Sequence, residues 1–399
     1  MGTHTPPLSP AVSGRMNSIE HDRNRAKPLG AVPPSAGAGG SEGAQSAADR
    51  AASSRRTEAR ISPSAVADMI IARYGAGRSL HDLARSASTS GQSARRQEIS
   101  LQIRKAAECL YPLAQMIRAY GLGLSVIAAA NMSITAKVGG GRRLWAYAAT
   151  GDDMPLAGKI ITPRAIWFQV TPDRVGGYAR KELSGFHGIL MAPPGTGYET
   201  ICRAGPCVCA GCWRQIAAQA RDIELIAPHP IIETIMRSID ALRAIERDVT
   251  KASNQERARV RQAQSVAILQ HLQASLAHAQ QSVAARTALG RFLADTLDKW
   301  PMLTLFLDNG ALQPENGFVE QLLERLSWRD RWIFSWHPNA HLWSATIFTI
   351  LETCAANGAD GRSYLAAALE MLQSSNSGEI GEWALPWHFA ANNKSSATR

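Results

Sequence analysis

The sequence has no uninterrupted apolar run close to the roughly 20 residues that a membrane-spanning helix needs. Its first residues also lack the positively charged segment followed by an apolar one that forms a secretory signal. Six cysteines in 399 residues are too few for a disulfide scaffold, and they fit a reducing compartment. From these absences we expect a cytoplasmic protein with no membrane partner, associated with the nucleoid if it binds DNA.

Several catalytic motifs are absent as well. The chain has no glycine-rich phosphate loop, no dinucleotide-binding fingerprint and no Ser-His-Asp set, which excludes the commonest nucleotide-dependent and acyl-transfer enzymes. His337 and His341 have i, i+4 spacing, but Pro338 lies between them and no glutamate completes a metal-binding helix. These two histidines are therefore excluded as a metal site.

The charge is strongly asymmetric. Lys and Arg number 43 against 33 Asp and Glu, which gives a net charge of +10 and a pI of about 9.6. This balance favours a polyanionic partner, with nucleic acid first and an anionic membrane surface second. With 45% hydrophobic residues, the chain is long enough for two domains and a sizeable core.

The N-terminal part divides into two regions. Residues 1–60 are dominated by Pro, Gly, Ser and Ala and are predicted to be a disordered tail. Residues 61–121 are predicted to be helical, beginning at the N-cap Ser62 and Pro63. A short helix, a turn and a long helix carrying Arg95 and Arg96 are compatible with a DNA-binding helix-turn-helix, and equally with three helices packed without DNA contact.

The middle of the chain alternates with period two. LSVIAAANMSITAKV, RLWAYAAT and AIWFQVTP predict three strands, a short helix follows, and HGILMA and ICRAGPCVCAGC predict two more. This order is typical of an RNase H-like sheet with the first strand central and the fourth beside it. Residues 122–212 form the first part of this core, 213–305 a helical insertion, 306–389 the completion of the core, and 390–399 a polar tail. The predicted fold class is α/β, an RNase H-like mixed sheet with a large helical insertion and an N-terminal helical region.

The stretch 306–326, FLDNGALQPENGFVEQLLERL, carries the candidate acid. A turn at Asp308 to Gly310 precedes a predicted helix whose apolar residues recur at helical spacing, with Glu320 beside that apolar face. Either Glu320 lies on a solvated helix face, or it is the helical acid of a metal-dependent nuclease. RNase H-type phosphoryl transfer needs two further aspartates on adjacent central strands to hold two divalent cations.

Two other clusters have both a structural and a functional interpretation. Cys202, Cys207, Cys209 and Cys212 are close in sequence, but no second half-site matches them, so buried structural cysteines are favoured over a metal site. Tryptophans of the C-terminal third alternate with Arg329 and Arg331, a pattern that suits core packing or nucleic-acid contact. Arg142 and Arg143, before the second strand, are further candidate DNA contacts.

Several segments together resemble one known family. FLDNGALQPENGFVEQ resembles the "FLDDGRLxIDNNxxER" signature of the DDE transposases of insertion-sequence family sixty-six. In the same order along the chain, RLWAYAAT resembles "GRLWVYVRD", LSGFHGILMA resembles "LAGFRGILQAD", Cys212-Trp213 matches "CWAH", and residues 256–262 resemble "ERxxxRQ". LPWHF is similar to the closing "LLPWNW". The resemblance covers residues 63 to about 389 and implies DNA transposition by metal-dependent cleavage and strand transfer, with Mg²⁺ or Mn²⁺ as cofactor.

The departures from this pattern fall on the catalytic acids. Ala130 stands where the resemblance places the first aspartate, in "HADDTPVPV", and Pro193 where it places the second, in "GILQADAYAGY". The third acid is retained as Glu320, and the histidine of "CWAH" is Gln215. The cysteine-containing zinc-binding region at the family's N-terminus has no counterpart, because residues 1–60 contain no cysteine.

The resemblance and these departures predict a transposase-family protein that does not perform the reaction, with no cofactor and no bound metal in this copy. Its expected partners are DNA, represented in the family by insertion-element ends, and a second copy of itself. The alternatives are a regulatory module that binds DNA or oligomerises through the 231–282 helical hairpin, and an active enzyme with relocated acids. Asn131, Asp173 and Glu199 are the candidate replacements in the last case.

Overall fold

The computed structural model describes residues 61–89, 96–135, 141–151, 154–156, 159–173, 176–192, 198, 201–202, 205–327, 333–374 and 380–396. The predicted tail at residues 1–60 and the candidate residues Arg95, Pro193, Glu199, Arg329 and Arg331 lie outside the described residues. From Ile61 onward the chain forms one compact unit that mixes many helices with one five-stranded sheet.

The strands are β1 Val126–Thr135, β2 Gly141–Thr150, β3 Met154–Leu156, β4 Lys159–Ile161, β5 Ala165–Thr171, β6 Ile189–Met191 and β7 Val208–Ala210. The five-stranded sheet has the order β5-β2-β1-β6-β7, and β3 and β4 form a separate hairpin. β1 is antiparallel to β2, and β2 to β5, whereas β6 is parallel to β1 and β7 to β6. β1 is therefore central, and the carboxyl end of β6 at Met191 lies beside Ala128, in the first half of β1.

The helices that precede and interrupt the sheet are α1 Pro63–Ile70, α2 Leu80–Thr89, α3 Arg96–Leu122 and α4 Gly176–Glu182. The insertion contains α5 Trp213–Ile226, α6 Pro230–Asp248, α7 Asn254–Val260, α8 Val266–Ser282, α9 Ala288–Asp298 and α10 Trp300–Thr304. The chain ends with α11 Gly317–Ser327, α12 Ala340–Ala356, α13 Gly361–Ser374 and α14 Pro386–Ser396. A π-helical turn, Arg261–Ser265, joins α7 to α8.

Apolar periodicity explains how these elements pack. One hydrophobic cluster joins α1, α3, α11, α12 and α13 to the β1, β2 and β5 part of the sheet. A second cluster joins the insertion helices to Val126, Met191 and Ala210 at the β6 and β7 side. The insertion therefore has its own core, and it contacts the sheet where the parallel strands lie.

Two of the predicted elements differ from the structure. ICRAGPCVCAGC was predicted to be one strand, but among its described residues the strand is limited to Val208–Ala210, and Ile201 and Cys202 are helical. The predicted helical hairpin at 231–282 contains a π-helical turn, Arg261–Ser265, and Arg261 at its start is fully buried. The other four predicted strands are present in the predicted order, and most of the segment from Trp213 to Thr304 is helical.

The finer assignments remain predictions. The three N-terminal helices do form, and α3 packs along β5 and α12 with apolar residues from Ile99 to Ile117. This packing by itself does not identify a DNA-binding helix-turn-helix. No helix in the described part of the chain is both long enough and apolar enough to cross a membrane.

Candidate functional site

The entry to α11 is joined directly to the central strand. Asn316 is 1% exposed, and its Nδ2 donates a hydrogen bond of 2.9 Å to the carbonyl oxygen of Ala129 on β1. Val319 and Leu322, in the first turns of α11, are fully buried against the same core. The helix that carries Glu320 is therefore held beside β1 by one buried hydrogen bond and by its apolar face.

Glu320 is half-buried and forms an ion pair inside the protein. Its Oε2 lies 2.9 Å from Nε of Arg214 on α5, and the Glu320 side chain is 26% exposed. Burial raises the pKa of Glu320, the positive charge of Arg214 opposes that rise, and the negative charge of Glu315 adds to it. Arg214 follows Cys212-Trp213 in the segment that resembles "CWAH", so a cation of this chain neutralises the retained acid.

Ala130 lies on the face of β1 that α11 covers. Successive side chains of a strand alternate between faces, so Ala130 shares a face with Ala128 and Val126. Those two residues line a cavity together with Asn316 and Phe318 of the α11 entry. Ala130 is 3% exposed and has no side-chain oxygen to offer a cation.

The position of the second acid can be located only as far as the end of β6. Met191 pairs with Ala128 in the parallel register, so the chain leaves β6 beside Ala130. Pro193 itself lies outside the described residues. Proline has no side-chain ligand atom, whatever its placement.

The two proposed replacement ligands that the structure describes, Asn131 and Asp173, do not join Glu320. Asn131 is on the opposite face of β1, where its Oδ1 accepts hydrogen bonds from Nε (3.1 Å) and Nη2 of Arg143. Asp173 follows β5, two strands away from β1 in the sheet. Glu199 lies outside the described residues.

This residue set does not fit a divalent-cation site. A two-metal centre needs several carboxylate oxygens directed at one point. Among the residues that the structure describes, no three His, Cys, Asp or Glu side chains are grouped so that they could hold a metal ion. Glu320 has Arg214 as its neighbour, and Ala130 contributes no ligand atom.

The loop before α11 is held by two buried arginines of the insertion, which sequence reasoning missed. Arg261 is fully buried, forms an ion pair of 2.7 Å with Glu246 of α6, and donates hydrogen bonds to the carbonyls of Phe306, Asn309 and Leu312. Arg257 donates a hydrogen bond of 2.8 Å to the carbonyl of Gly310. Both arginines belong to the segment that resembles "ERxxxRQ", and this resemblance was the only signal for them.

Gly310 is required by a close approach between the same two segments. A Cβ at this position would overlap the backbone carbonyl of Asn254, the first residue of α7. Asn254 in turn donates a hydrogen bond of 2.8 Å to the carbonyl of Gly151 after β2. The Asp308 to Gly310 turn is thus a contact between the insertion and the sheet region.

The cysteine cluster is only partly as predicted. Cys207 and Cys212 are buried free thiols, and burial raises the pKa of both. Cys202 and Cys209, for which no pairing was predicted, form a disulfide with a Cα–Cα distance of 5.7 Å. The helical turn at Cys202 brings it within disulfide range of the short β7 strand. Cys212 Sγ accepts a hydrogen bond of 3.3 Å from the backbone N–H of Asn316, which ties it to the α11 entry.

The candidate DNA-binding arginines do not form one described cluster. Arg96 is exposed at the start of α3, whereas Arg142 and Arg143 are half-buried on β2. Arg143 is hydrogen-bonded to Asn131 and, at 2.6 Å, to the hydroxyl of Ser133. Of the C-terminal tryptophans, Trp336 and Trp343 pack against each other with ring centroids 5.5 Å apart. This contact corresponds to the core-packing alternative of the prediction.

Comparison with known proteins fits this arrangement. The sequence profile of the transposase IS66 family matches residues 58–340, more than half of the chain. The chain belongs to this transposase family. The matched residues include β1 to β7, the insertion and Glu320, so the family signature and the site just described lie in the same matched region.

Three relatives are known as uncharacterized proteins y4jD, y4hP and y4qI of Sinorhizobium fredii (strain NBRC 101917 / NGR234). They are 25%, 26% and 24% identical over 258, 264 and 254 residues, which correspond to 63%, 62% and 62% of this chain. The aligned regions cover 50%, 47% and 46% of the relatives. The chain thus spans about half the length of these curated relatives.

Proposed function

We propose that this member of the transposase IS66 family binds DNA but does not perform metal-dependent DNA cleavage and strand transfer. The observation that carries the proposal is the Glu320–Arg214 ion pair at 2.9 Å, opposite a strand that presents Ala130. Arg214 pairs with Glu320, the one acid retained of the three that the family resemblance makes catalytic, and no cofactor is needed to neutralise this carboxylate.

An RNase H-like core is the fold interpretation that best accounts for the sheet. The order β5-β2-β1-β6-β7, with three antiparallel strands followed by two parallel ones, supports it. In such a core the acids lie where the carboxyl ends of the two parallel central strands meet the helical acid. Ala130, two residues beyond the Ala128–Met191 pair at the end of β6, and Glu320, on the helix that packs against β1, support this interpretation.

DNA as the partner follows from charge and from family membership. The net charge of +10 favours a polyanion, and exposed arginines such as Arg96 are available for phosphate contacts. Nucleoid association would be a consequence of such binding. Insertion-element ends are the DNA that the family implies.

A test of inactivity uses element-end DNA with Mg²⁺ or Mn²⁺, and it measures strand cleavage and joining on sequencing gels. We expect no product from the parent chain and none from Glu320→Ala. Product that is formed by the parent and lost in Glu320→Ala would mean that the acids are relocated rather than missing. DNA retention by the same preparations, measured at several salt concentrations, tests the binding half of the proposal.

A second candidate function is an oligomerising regulatory module. The observation in its favour is that Leu225 and Ile226, at the end of α5 in the insertion, are 85% and 79% exposed. Light scattering on the parent and on Leu225→Ser/Ile226→Ser would decide it. A monomer at micromolar concentration in both cases would eliminate this candidate.

A further inference from the structure

Two adjoining cavities lie beside α11, and their charges are unbalanced. One has a volume of about 270 Å³ and the other about 420 Å³, and they share Arg164, Thr250, Gln313, Glu315 and Phe318 as lining residues. The cationic residues that line either cavity are Arg164, Arg214, Arg243, Arg247, Lys251 and Arg257, whereas the carboxylates are Glu246 and Glu315. A polyanion or phosphate group would therefore find an excess of positive charge there.

The carboxylates at these cavities are already paired. Glu315 lies 2.7 Å from Arg243, and Glu246 lies 2.7 Å from Arg261. The nearby Glu320 pairs with Arg214. These pairs compensate the negative charges, and Arg164, Arg247 and Lys251 take no part in them.

Arg164 is the innermost of the uncompensated cations. Its backbone is fixed by Asn357, which accepts from its N–H at 3.0 Å and donates to its carbonyl at 2.8 Å. No described residue accepts a hydrogen bond from the Arg164 guanidinium or forms an ion pair with it. Burial lowers the pKa of Arg164. The guanidinium lies 5.7 Å from the centroid of the Phe318 ring, which is 39% exposed.

The rim carries two further cations. Arg247, near the end of α6, and Lys251, three residues after that helix, are exposed. No ion-pair partner for either is found in the described part of the chain. Together with Arg164 they supply guanidinium and ammonium donors of the kind that bind a phosphate, and Phe318 supplies an apolar ring for a base.

We propose that Arg164, Arg247 and Lys251 form a metal-independent site for the phosphate of a nucleotide unit, with the base packed against Phe318. The inference rests on the proposed function. It specifies how the chain would bind a DNA phosphate without the divalent cations that the family pattern implies. The unit is supplied either by the phosphorylated end of a DNA strand or by a free mononucleotide.

The experiment measures anisotropy of a 3′-labelled single-stranded oligonucleotide with the full chain in EDTA at low salt. A 5′-phosphate is expected to strengthen binding, and Arg164→Gln to weaken binding of the phosphorylated strand roughly tenfold to a hundredfold, as loss of a charged hydrogen bond implies. Lys251→Gln, an exposed change that does not threaten folding, is expected to weaken it about threefold and to lower the salt slope. Arg286→Gln, an exposed arginine outside both cavities, is the charge-matched control.

Competition by an unlabelled mononucleotide distinguishes the two sources. Displacement at millimolar concentration assigns the site to a free nucleotide unit, and strengthening by the 5′-phosphate without displacement assigns it to a strand end. The inference is overturned if Arg164→Gln and Lys251→Gln bind like Arg286→Gln, or if the phosphate effect requires Mg²⁺. In either case binding of duplex DNA by the parent would leave the proposed function standing, whereas no DNA binding at all would remove both.

Discussion

At the residue scale, the protonation of Glu320 is the most direct property to measure. Burial raises its pKa above the ordinary value of 4.5, although Arg214 opposes the rise. The folded chain therefore holds this proton to a higher pH than the unfolded chain does. The corresponding stability is fully present below the unfolded pKa and is lost as the pH rises through the folded pKa.

Glu320→Gln is therefore expected to be more stable than the parent at pH 7.5, by about 1–2 °C in Tm, with the difference vanishing near pH 4. Thermal unfolding followed by circular dichroism at the two pH values measures it. Arg214→Ala is the complementary control. Removing this cation raises the pKa of Glu320 further, so the loss of stability with rising pH becomes larger. A Glu320→Gln variant that is less stable than the parent at pH 7.5 would show that the ion pair outweighs burial.

Ala130 gives a second prediction at this scale. Ala130→Asp places a carboxylate at a position that is 3% exposed. We expect a loss of about 2–4 kcal/mol in the free energy of unfolding, measured by chemical denaturation. Ala130→Asn, similar in volume but uncharged, should cost clearly less.

Manganese provides the counter-test for the same variant. Because Glu320 alone cannot complete a cation cage, Mn²⁺ at millimolar concentration should not restore the stability of Ala130→Asp. A restoration that is absent in Ala130→Asp/Glu320→Gln would mean that the two positions still share a metal site.

At the element scale, the loop from Phe306 to Leu312 depends on the insertion helices. Arg261 links α6, through Glu246, to three loop carbonyls. The loop leads into α11, whose entry is in turn tied to β1 by Asn316. The insertion is thus a structural support for the position of Glu320.

Arg261→Met is accordingly expected to reduce the free energy of unfolding by about 3–5 kcal/mol, since it leaves Glu246 buried without a cation. Hydrogen exchange should show faster exchange in residues 306–312. Glu246→Gln/Arg261→Met should recover part of the loss.

Arg259→Met is the matched control on the same turn of chain, because its ion pair with Glu256 is at the surface. No measurable change is expected there. Equal losses for Arg259→Met and Arg261→Met would contradict the supporting role assigned to the buried pair.

At the scale of the whole molecule, the charge of +10 predicts how DNA binding depends on salt. The logarithm of the association constant for duplex DNA should fall linearly with the logarithm of salt concentration, by about 0.9 per phosphate contact. Filter retention or fluorescence anisotropy measures this slope. Salt concentrations from about 50 to about 300 mM span the physiological ionic strength. Affinity that does not change with salt would contradict electrostatic DNA binding.

The features that the sequence predicted correctly depend on local interactions, whereas the features that it missed depend on contacts between residues far apart in the chain. Four of the five core strands, β1, β2, β5 and β6, were predictable because short apolar runs bounded by turn residues are a local property of the chain. The fifth was predicted too long because cysteine and alanine fit a helical turn, a loop or a strand, and the packing of Cys202 against β7 decided among them. Arg261 was not predictable as a buried residue, because an arginine is buried only when a distant carboxylate and several carbonyls meet it.

The sequence by itself determined the family, since the order of its motifs is encoded along the chain, and it determined that two positions matching catalytic acids carry Ala130 and Pro193. Only the tertiary structure decided what surrounds the retained acid. It placed Arg214 of the insertion on Glu320, turned Asn131 to the opposite face of β1, and left Arg164 uncompensated beside Phe318. These contacts join residues far apart in sequence, and folding alone brings their charges within interacting distance.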